Sequence, residues 1–296
     1  MNLAFDMSGM SISDVIYNEL LNLNINLHAR INKPKSGSFH LHDTYEVYFF
    51  ISGDVTYFIE KNNYPLNYGD LIITNTTEIH APVFRSNAVY ERIIFHFSPE
   101  FIRSLKLPDY NLEKCFIDRP NGKFNKVSLS QQQIDEFMRI YKEIVLLNMD
   151  LRGQNILLKY SKLIELLVFI NNAFLNFENI LNSNIQNTTN IPDRIIQIIN
   201  FIDANLGSDI SLDILEKTFF INRTYLCTLF KKHLGKTVHQ YIMYKRISYA
   251  KQLLSNGHNV TETCLMCGFN DYSNFIKTFK KITGKSPGRY KNQKKQ

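Results

Sequence analysis

The sequence predicts an α+β chain of two domains, an N-terminal β-barrel with a helical hairpin followed by an all-α domain. Short apolar runs broken by turn residues fill the chain to about residue 97, a helical apolar period follows from about residue 130, and a basic helical segment occurs twice after residue 190. The 296 residues suffice for two domains. A hydrophobic content of 44% excludes a disordered chain.

The first region consists of β-type runs separated by turns. Apolar runs at 45–51, 55–59, 71–73 and 92–97 are divided by Gly, Asn and Asp residues, which favour turns. Short strands at such near-regular spacing are typical of a β-sandwich or small barrel. We therefore assign residues 1–127 to this β domain.

The second region, residues 128–181, has helical periodicity. A first helix is predicted over 133–147, and a second carries an apolar seam at spacings of three and four residues: Ile156, Tyr160, Leu163, Leu167, Ile170 and Phe174. This seam either contacts the same helix of a second copy, which makes a homodimer, or packs on the barrel or the first helix. Residues 182–192 are polar and aperiodic, which predicts a linker to the last domain, residues 193–296.

The net charge of +7 is concentrated in the last third of the chain. Residues 190–296 hold 17 basic and 7 acidic side chains, whereas residues 1–189 hold 17 and 20. Such a basic domain suits a polyanion because each phosphate contact releases counterions. A solvated basic face without a partner has the same composition and is the alternative at this point.

Cysteine content and hydropathy predict a cytoplasmic protein without a membrane segment. Four cysteines in 296 residues are too few for a disulfide framework. Cys264 and Cys267 have helical spacing, but a zinc site needs two more ligands, so we expect them to pack in a core. No early segment has the basic start and apolar run of a secretory signal, and no run is apolar enough to span a bilayer.

The basic region is one unit built twice. Residues 229–242 align with residues 278–291 at an offset of 49, with six identical positions. Each unit has two short helices separated by a turn, which is the layout of a helix-turn-helix. A long helix predicted over 238–255 connects the two units and is about 27 Å long at 1.5 Å per residue. This length suits two helix-turn-helix units that each place a helix near one of two successive major-groove faces, which repeat about every 34 Å.

Capping residues and a glycine predict the helix bounds within each unit. In the first unit, Ser211 caps a helix that ends at Lys217, and Asn222 caps a second helix that ends at His233. In the second unit, the helices are predicted over 260–267 and 271–282, with a glycine at the turn.

The exposed face of each second helix is predicted to read DNA. Small polar and basic side chains there can reach base edges in a major groove, and neighbouring lysines suit phosphates. The predicted base-reading residues are Arg223, Thr224, Cys227, Thr228 and Lys231 in the first unit, and Tyr272, Ser273, Asn274 and Lys277 in the second. The predicted phosphate contacts are Lys232, Lys280 and Lys281.

This region resembles the C-terminal DNA-binding domain of the AraC/XylS family of bacterial transcription regulators. The resemblance covers about 100 residues and is carried by Tyr225-Leu226, Phe230-Lys231-Lys232, Gly235, Gly268-Phe269, Phe275, Phe279-Lys280-Lys281, Gly284, Ser286-Pro287 and Tyr290. It implies a sequence-specific regulator that binds double-stranded operator DNA, with RNA polymerase as a partner. It also implies activation and a small-molecule effector such as a sugar or related metabolite.

The β domain contains a candidate effector site. His40 and His42 alternate, which places both imidazoles on one side of a strand. With Glu46 and His80 they resemble the metal signature of cupin barrels, which implies a cupin-like fold. Three imidazoles and a carboxylate could hold a divalent transition metal. The alternatives are a metal-free, hydrogen-bonding effector pocket, which we favour, or a structural role. Arg30 is a further candidate effector contact.

Two other functions are compatible with the sequence. A metal-dependent cupin oxygenase or isomerase with an accessory DNA-binding tail would use the same histidines. A DNA-binding regulator that responds to no effector would contain a vestigial barrel. The prediction is a non-enzymatic regulator without a cofactor.

Overall fold

The structure is a computed structural model that describes residues 28–34, 39–105, 107, 110–149, 156–181 and 191–294. Within this part, two antiparallel sheets pack around an aromatic cluster, as the fold class predicted. The strands are β1 (His28–Ile31), β2 (Tyr45–Ser52), β3 (Val55–Ile59), β4 (Asn62–Pro65), β5 (Asp70–Thr74), β6 (His80–Phe84), β7 (Tyr90–Phe97) and β8 (Lys126–Ser128). The five-stranded sheet has the order β1-β7-β2-β5-β8, and the three-stranded sheet has the order β4-β3-β6.

The four predicted strand runs are confirmed as β2, β3, β5 and β7. The strands that the sequence did not predict have three to five residues, and two of them contain Pro65 and Pro82, which weaken a strand pattern. His40 forms an isolated bridge with His80 rather than part of a strand over residues 40–42.

Strand β2 is buried on both faces. Tyr45, Val47 and Phe49 pack against helices on the outer side of the five-stranded sheet. Tyr48 and Phe50 face the other way, into the cluster between the two sheets. Burial on both sides explains why β2 is a continuous apolar run without polar alternation.

The described residues of the N-terminal part also form the helices α1 (Pro99–Ser104), α2 (Lys114–Ile117), α3 (Gln131–Met149) and α4 (Ile156–Leu181). The predicted hairpin corresponds to α3 and α4. Its seam residues Leu163, Leu167, Ile170 and Phe174 are buried against the outer face of the five-stranded sheet. These four residues pack within one chain, as the second of the two alternatives predicted, and are not exposed to a second copy.

The C-terminal domain is helical where the structure describes it, as predicted. Its helices are α5 (Asp193–Ala204), α6 (Leu212–Phe219), α7 (Arg223–Leu234), α8 (Val238–Ser255), α9 (Val260–Met266), α10 (Tyr272–Thr283) and α11 (Pro287–Lys294), of which α6 to α10 are the five with predicted bounds. Cys264 and Cys267 are buried in the core, which confirms their packing role. The predicted linker lies outside the described residues up to residue 190. Among the described helices, none is long and apolar enough to cross a membrane.

The two domains share one apolar cluster. Phe39 and Phe58 of the β domain and Tyr241 of α8 belong to it together. The ring centroids of Phe39 and Tyr241 are 5.9 Å apart, and those of Phe58 and Tyr241 are 6.5 Å apart, both edge to face. Helix α8 therefore lies in the core of the C-terminal domain and against the barrel at the same time.

Candidate functional site

Helix α7 presents the first predicted reading face. The Asn222 side chain caps it by accepting hydrogen bonds from the backbone N–H groups of Thr224 and Tyr225. Leu226 and Phe230 are buried on its inner side. Of the residues predicted to contact DNA here, Cys227 is half-buried and the others are exposed: Arg223, Thr224, Thr228, Lys231 and Lys232.

Helix α10 presents the second reading face in the same way. Asp271 caps it by accepting a hydrogen bond from the N–H of Asn274, and Phe275 and Phe279 anchor its buried side. All the residues predicted to contact DNA are exposed: Tyr272, Ser273, Asn274, Lys277, Lys280 and Lys281. Both units thus bury their aromatic residues and expose a polar, basic surface, which is the arrangement that a major-groove reader needs.

Arg223 differs from the other predicted contacts because it has acidic neighbours in its own domain. Its guanidinium pairs with Asp213 and lies 3.7 Å from Glu216. The Glu216 carboxylate also accepts a hydrogen bond from the backbone N–H of Arg223. A base edge would therefore compete with these carboxylates for Arg223. Lys277 of α10, in contrast, has no such pairing among the ion pairs of the described residues.

The second candidate site is a cluster of imidazoles around Glu46. Its Oε2 lies 3.4 Å from Nε2 of His42, 3.7 Å from Nε2 of His80 and 3.8 Å from Nε2 of His96. Glu46 and His80 are buried, His42 is half-buried and His96 is exposed. The cluster therefore extends from the barrel interior to the surface.

Neighbouring groups hold the members of the cluster in place. The Tyr57 hydroxyl donates to Oε1 of Glu46 over 3.0 Å, which leaves Oε2 facing the imidazoles. Nδ1 of His80 lies 2.9 Å from the backbone oxygen of Glu78, and Nδ1 of His96 lies 3.2 Å from Oγ1 of Thr44. Because a carbonyl only accepts, the His80 ring carries its hydrogen on Nδ1.

The charges in this cluster depend on each other. Burial disfavours a charged Glu46, but attraction to His80 and the other imidazoles outweighs it and holds the pKa of this carboxyl well below its usual range. Burial also disfavours the imidazolium of His80, and the carboxylate of Glu46 outweighs it and raises the pKa of His80. Burial and the neighbouring His80 lower the pKa of His40 to about 4. Glu46 is thus an ionised carboxylate that attracts cations or hydrogen-bond donors.

The structure brings most of the predicted effector residues together, with one addition and one exception. The His40 ring stacks beside His42 and His80, with centroids 5.6 and 5.8 Å away. Arg30 lies on the exposed edge strand β1 and is 3.6 Å from Glu91, outside the cluster. His96 was not predicted. It lies directly opposite Glu46 in the pairing of β2 with β7, a register that the sequence pattern did not reveal.

The Glu46 cluster touches the C-terminal domain through Lys251 of α8. Its Nζ donates to the backbone oxygens of His42 and Thr76, both over 2.9 Å. It also lies 2.8 Å from the carboxylate of Asp43. Lys251 is buried, so a segment carrying one of the imidazoles is held directly by the helix that joins the two reading units.

Two family models match the chain. Residues 27–167 match an AraC-like ligand binding domain, and residues 215–293 match a helix-turn-helix domain. The fold and both matches define a transcription regulator that has a ligand-binding domain and a DNA-binding domain. The chain belongs to the AraC family of transcriptional regulators.

Curated relatives match either the whole chain or its last third. The uncharacterized regulator YdeC of Bacillus subtilis is 24% identical over 93% of this chain and 90% of its own length. The melibiose operon regulatory protein of Escherichia coli is 24% identical over 93% of this chain and 89% of its own. The probable transcriptional regulator LumQ of Photobacterium leiognathi is 34% identical over 33% of this chain, and that match spans 40% of LumQ.

Proposed function

We propose that this chain activates transcription in response to a small polar metabolite, with a sugar as the leading candidate. The metabolite binds in the barrel beside Glu46, and its binding changes how the two reading helices engage operator DNA. The single observation that carries this proposal is the buried Lys251, which ties the His42 segment of the barrel to α8.

The barrel interior has the chemistry that a polyhydroxylated ligand needs. Tyr48 donates to the hydroxyl of Tyr90 over 3.0 Å, and Tyr57 donates to Glu46. Carboxylate and phenol groups exchange hydrogen bonds with sugar hydroxyls, and aromatic faces cover the apolar sides of a sugar ring. The similarity to a melibiose operon regulator over 93% of this chain supports a sugar as the ligand.

The route from ligand to DNA runs through α8. A ligand that moves the His42 segment changes the acceptors of Lys251, and a rigid helix transmits such a shift to both of its ends. A second contact lies at the end of the first reader, where Asn63 donates to the backbone oxygen of His233 and Arg85 to that of Lys232. Both contacts bias the orientation of α7 relative to α10.

The predicted DNA-contacting surfaces of α7 and α10 are not covered by the barrel, which favours control of DNA binding through the relative orientation of these two helices. Asn274 and Lys277 are exposed, and so are Thr224 and Thr228, although the barrel is docked on the same domain. The ligand therefore shifts the population between a conformation in which α7 and α10 fit successive major-groove faces and a conformation in which they do not.

The partners follow from this function. The chain works in the cytoplasm on double-stranded operator DNA and contacts RNA polymerase as an activator. A homodimer would use a surface other than the buried α4 seam. The exposed side chains of Leu146, Leu157 and Leu158, near the connection between α3 and α4, supply an apolar patch for it.

The test measures ligand binding and operator affinity on the same full-length protein. A panel of mono- and disaccharides is screened by thermal shift, since a ligand of the folded state raises the melting temperature. The ligand found should change operator affinity about 5- to 150-fold, a usual range for allosteric coupling. Lys251→Met should keep the melting shift and lose the change in affinity, and Lys159→Met on α4 should keep both. An equal response of Lys251→Met and wild type would contradict this route.

A further inference from the structure

We infer that Glu46, His42, His80 and His96 together hold a divalent transition-metal ion such as Zn²⁺. This inference adds an ion to the effector site and rests on the proposed function only in treating that site as a ligand site. It differs from the set that the sequence motif indicates, because His96 of β7 takes the place of His40.

The distances around Glu46 fit a tetrahedral ion. Nε2 of His42, His80 and His96 lie 3.4, 3.7 and 3.8 Å from the same oxygen, Oε2. In a tetrahedral site with bonds of 2.0–2.1 Å, neighbouring donor atoms are about 3.3–3.4 Å apart. The donor atoms of His42, Glu46 and His96 all lie within 4.8 Å of one another. His80 is close to the carboxylate but is not part of this group of three, so its ring would have to move toward the other two imidazoles to complete the site.

His80 supplies an independent observation. Its Nε2 is buried and has no hydrogen-bond partner within the part of the chain that the structure describes. Because Nδ1 donates to the backbone oxygen of Glu78, a neutral His80 ring carries the lone pair on Nε2, directed at the cluster. A buried polar atom without a partner is costly, and a metal bond would satisfy it.

The supporting contacts have the form that metal sites use. Metal-binding imidazoles usually donate their second nitrogen to a backbone carbonyl or another polar group, and ligating carboxylates are themselves hydrogen-bonded. His80 with Glu78, and Glu46 with Tyr57, follow this pattern. Nδ1 of His96 has the Thr44 hydroxyl as its partner.

A network of imidazolium and carboxylate groups alone explains the cluster less well. The separations of 3.7 and 3.8 Å from Glu46 exceed hydrogen-bond length, so His80 and His96 can pair with the carboxylate by charge alone. The exposed His96 leaves a path for an ion to enter. Three imidazole nitrogens and one carboxylate favour Zn²⁺, Cu²⁺ or Ni²⁺ over Mg²⁺ or Ca²⁺.

The test is a zinc titration of full-length, chelator-treated protein by calorimetry, with Mg²⁺ as the control ion. Wild type should bind one Zn²⁺ per chain and no Mg²⁺. His96→Ala should weaken zinc binding at least about tenfold, since loss of a side chain that merely supports a metal ligand already costs about that much. His40→Ala, the matched control, should bind zinc within about threefold of wild type. Melting curves of both variants check that they are folded.

Three results would overturn the inference: no zinc binding by wild type, unchanged binding by His96→Ala, or an equal loss in His40→Ala. Co²⁺ substituted for zinc gives a further check, because a thiolate absorption band would place the ion on a cysteine instead. Operator affinity measured on the metal-free samples tests the proposed function separately. Zinc binding without operator binding would reject that function and leave the metal site standing.

Discussion

At the scale of single residues, the imidazole cluster around Glu46 contains one member that the sequence motif did not reveal and that strand pairing brings in. His40, His42 and Glu46 were found because they lie within seven residues of each other. His96 was missed because its position opposite Glu46 depends on the register of β2 and β7. Register is set by the buried faces of the whole sheet, so a local pattern cannot supply it.

Gly268 is a residue whose role the sequence did predict. It has a φ of +73° at the turn between α9 and α10, which L side chains adopt at a cost. A Cβ there would lie 2.5 Å from the backbone oxygen of Leu206 and 2.8 Å from Nη2 of Arg246. Gly268 is therefore required both for its backbone conformation and for its small size.

Gly268→Ala should lower the free energy of unfolding by clearly more than the roughly 1 kcal/mol that positive φ alone costs. Gly284→Ala is the matched control, since Gly284 has a φ of +77° and its added Cβ would meet nothing within 4 Å. Urea unfolding of the full chain compares the two. An equal decrease in the free energy of unfolding in both variants would mean that the close approach to Leu206 does not affect stability.

At the scale of elements, helix ends were predicted better than short strands. Ser211, Asn222 and Asp271 each cap the helix that they were predicted to begin, because N-caps act through local hydrogen bonds. Strands β4 and β6 were missed since their pairing with β3 is a tertiary contact. The α4 seam was identified correctly, but its periodicity did not reveal whether a sheet or a second copy covers it.

Asn222→Ala should destabilise helix α7, which Asn222 caps. It removes the acceptor for the N–H groups of Thr224 and Tyr225, a loss of about 1 kcal/mol in the free energy of unfolding. Asn222→Ser keeps a capping oxygen and should stay close to wild type. Urea unfolding measures both variants. A serine variant as unstable as the alanine variant would show that capping is not the reason.

At the scale of the whole molecule, the two domains are coupled through one helix. Tyr241 of α8 packs with Phe39 and Phe58 of the barrel, and Lys251 holds the His42 segment. Sequence analysis predicted α8 as a connector between the readers, yet it did not predict these contacts. The contacting residues are roughly 180 to 210 positions apart along the chain, and a local periodicity cannot reveal contacts at such a separation.

The central claim is that α7 and α10 read operator DNA, and one measurement tests it most directly. The full-length protein is titrated by fluorescence anisotropy with DNA from the region upstream of its own gene, over a series of salt concentrations. The affinity should fall steeply with salt, because phosphate contacts release counterions.

The double variant Asn274→Ala, Lys277→Ala should bind at least about tenfold more weakly, since one base contact is worth roughly 1–3 kcal/mol. Lys142→Ala, an exposed lysine of α3, is the control and should bind like wild type. Salt-insensitive binding, or a double variant that binds as tightly as wild type, would contradict the assignment of these helices as the DNA readers.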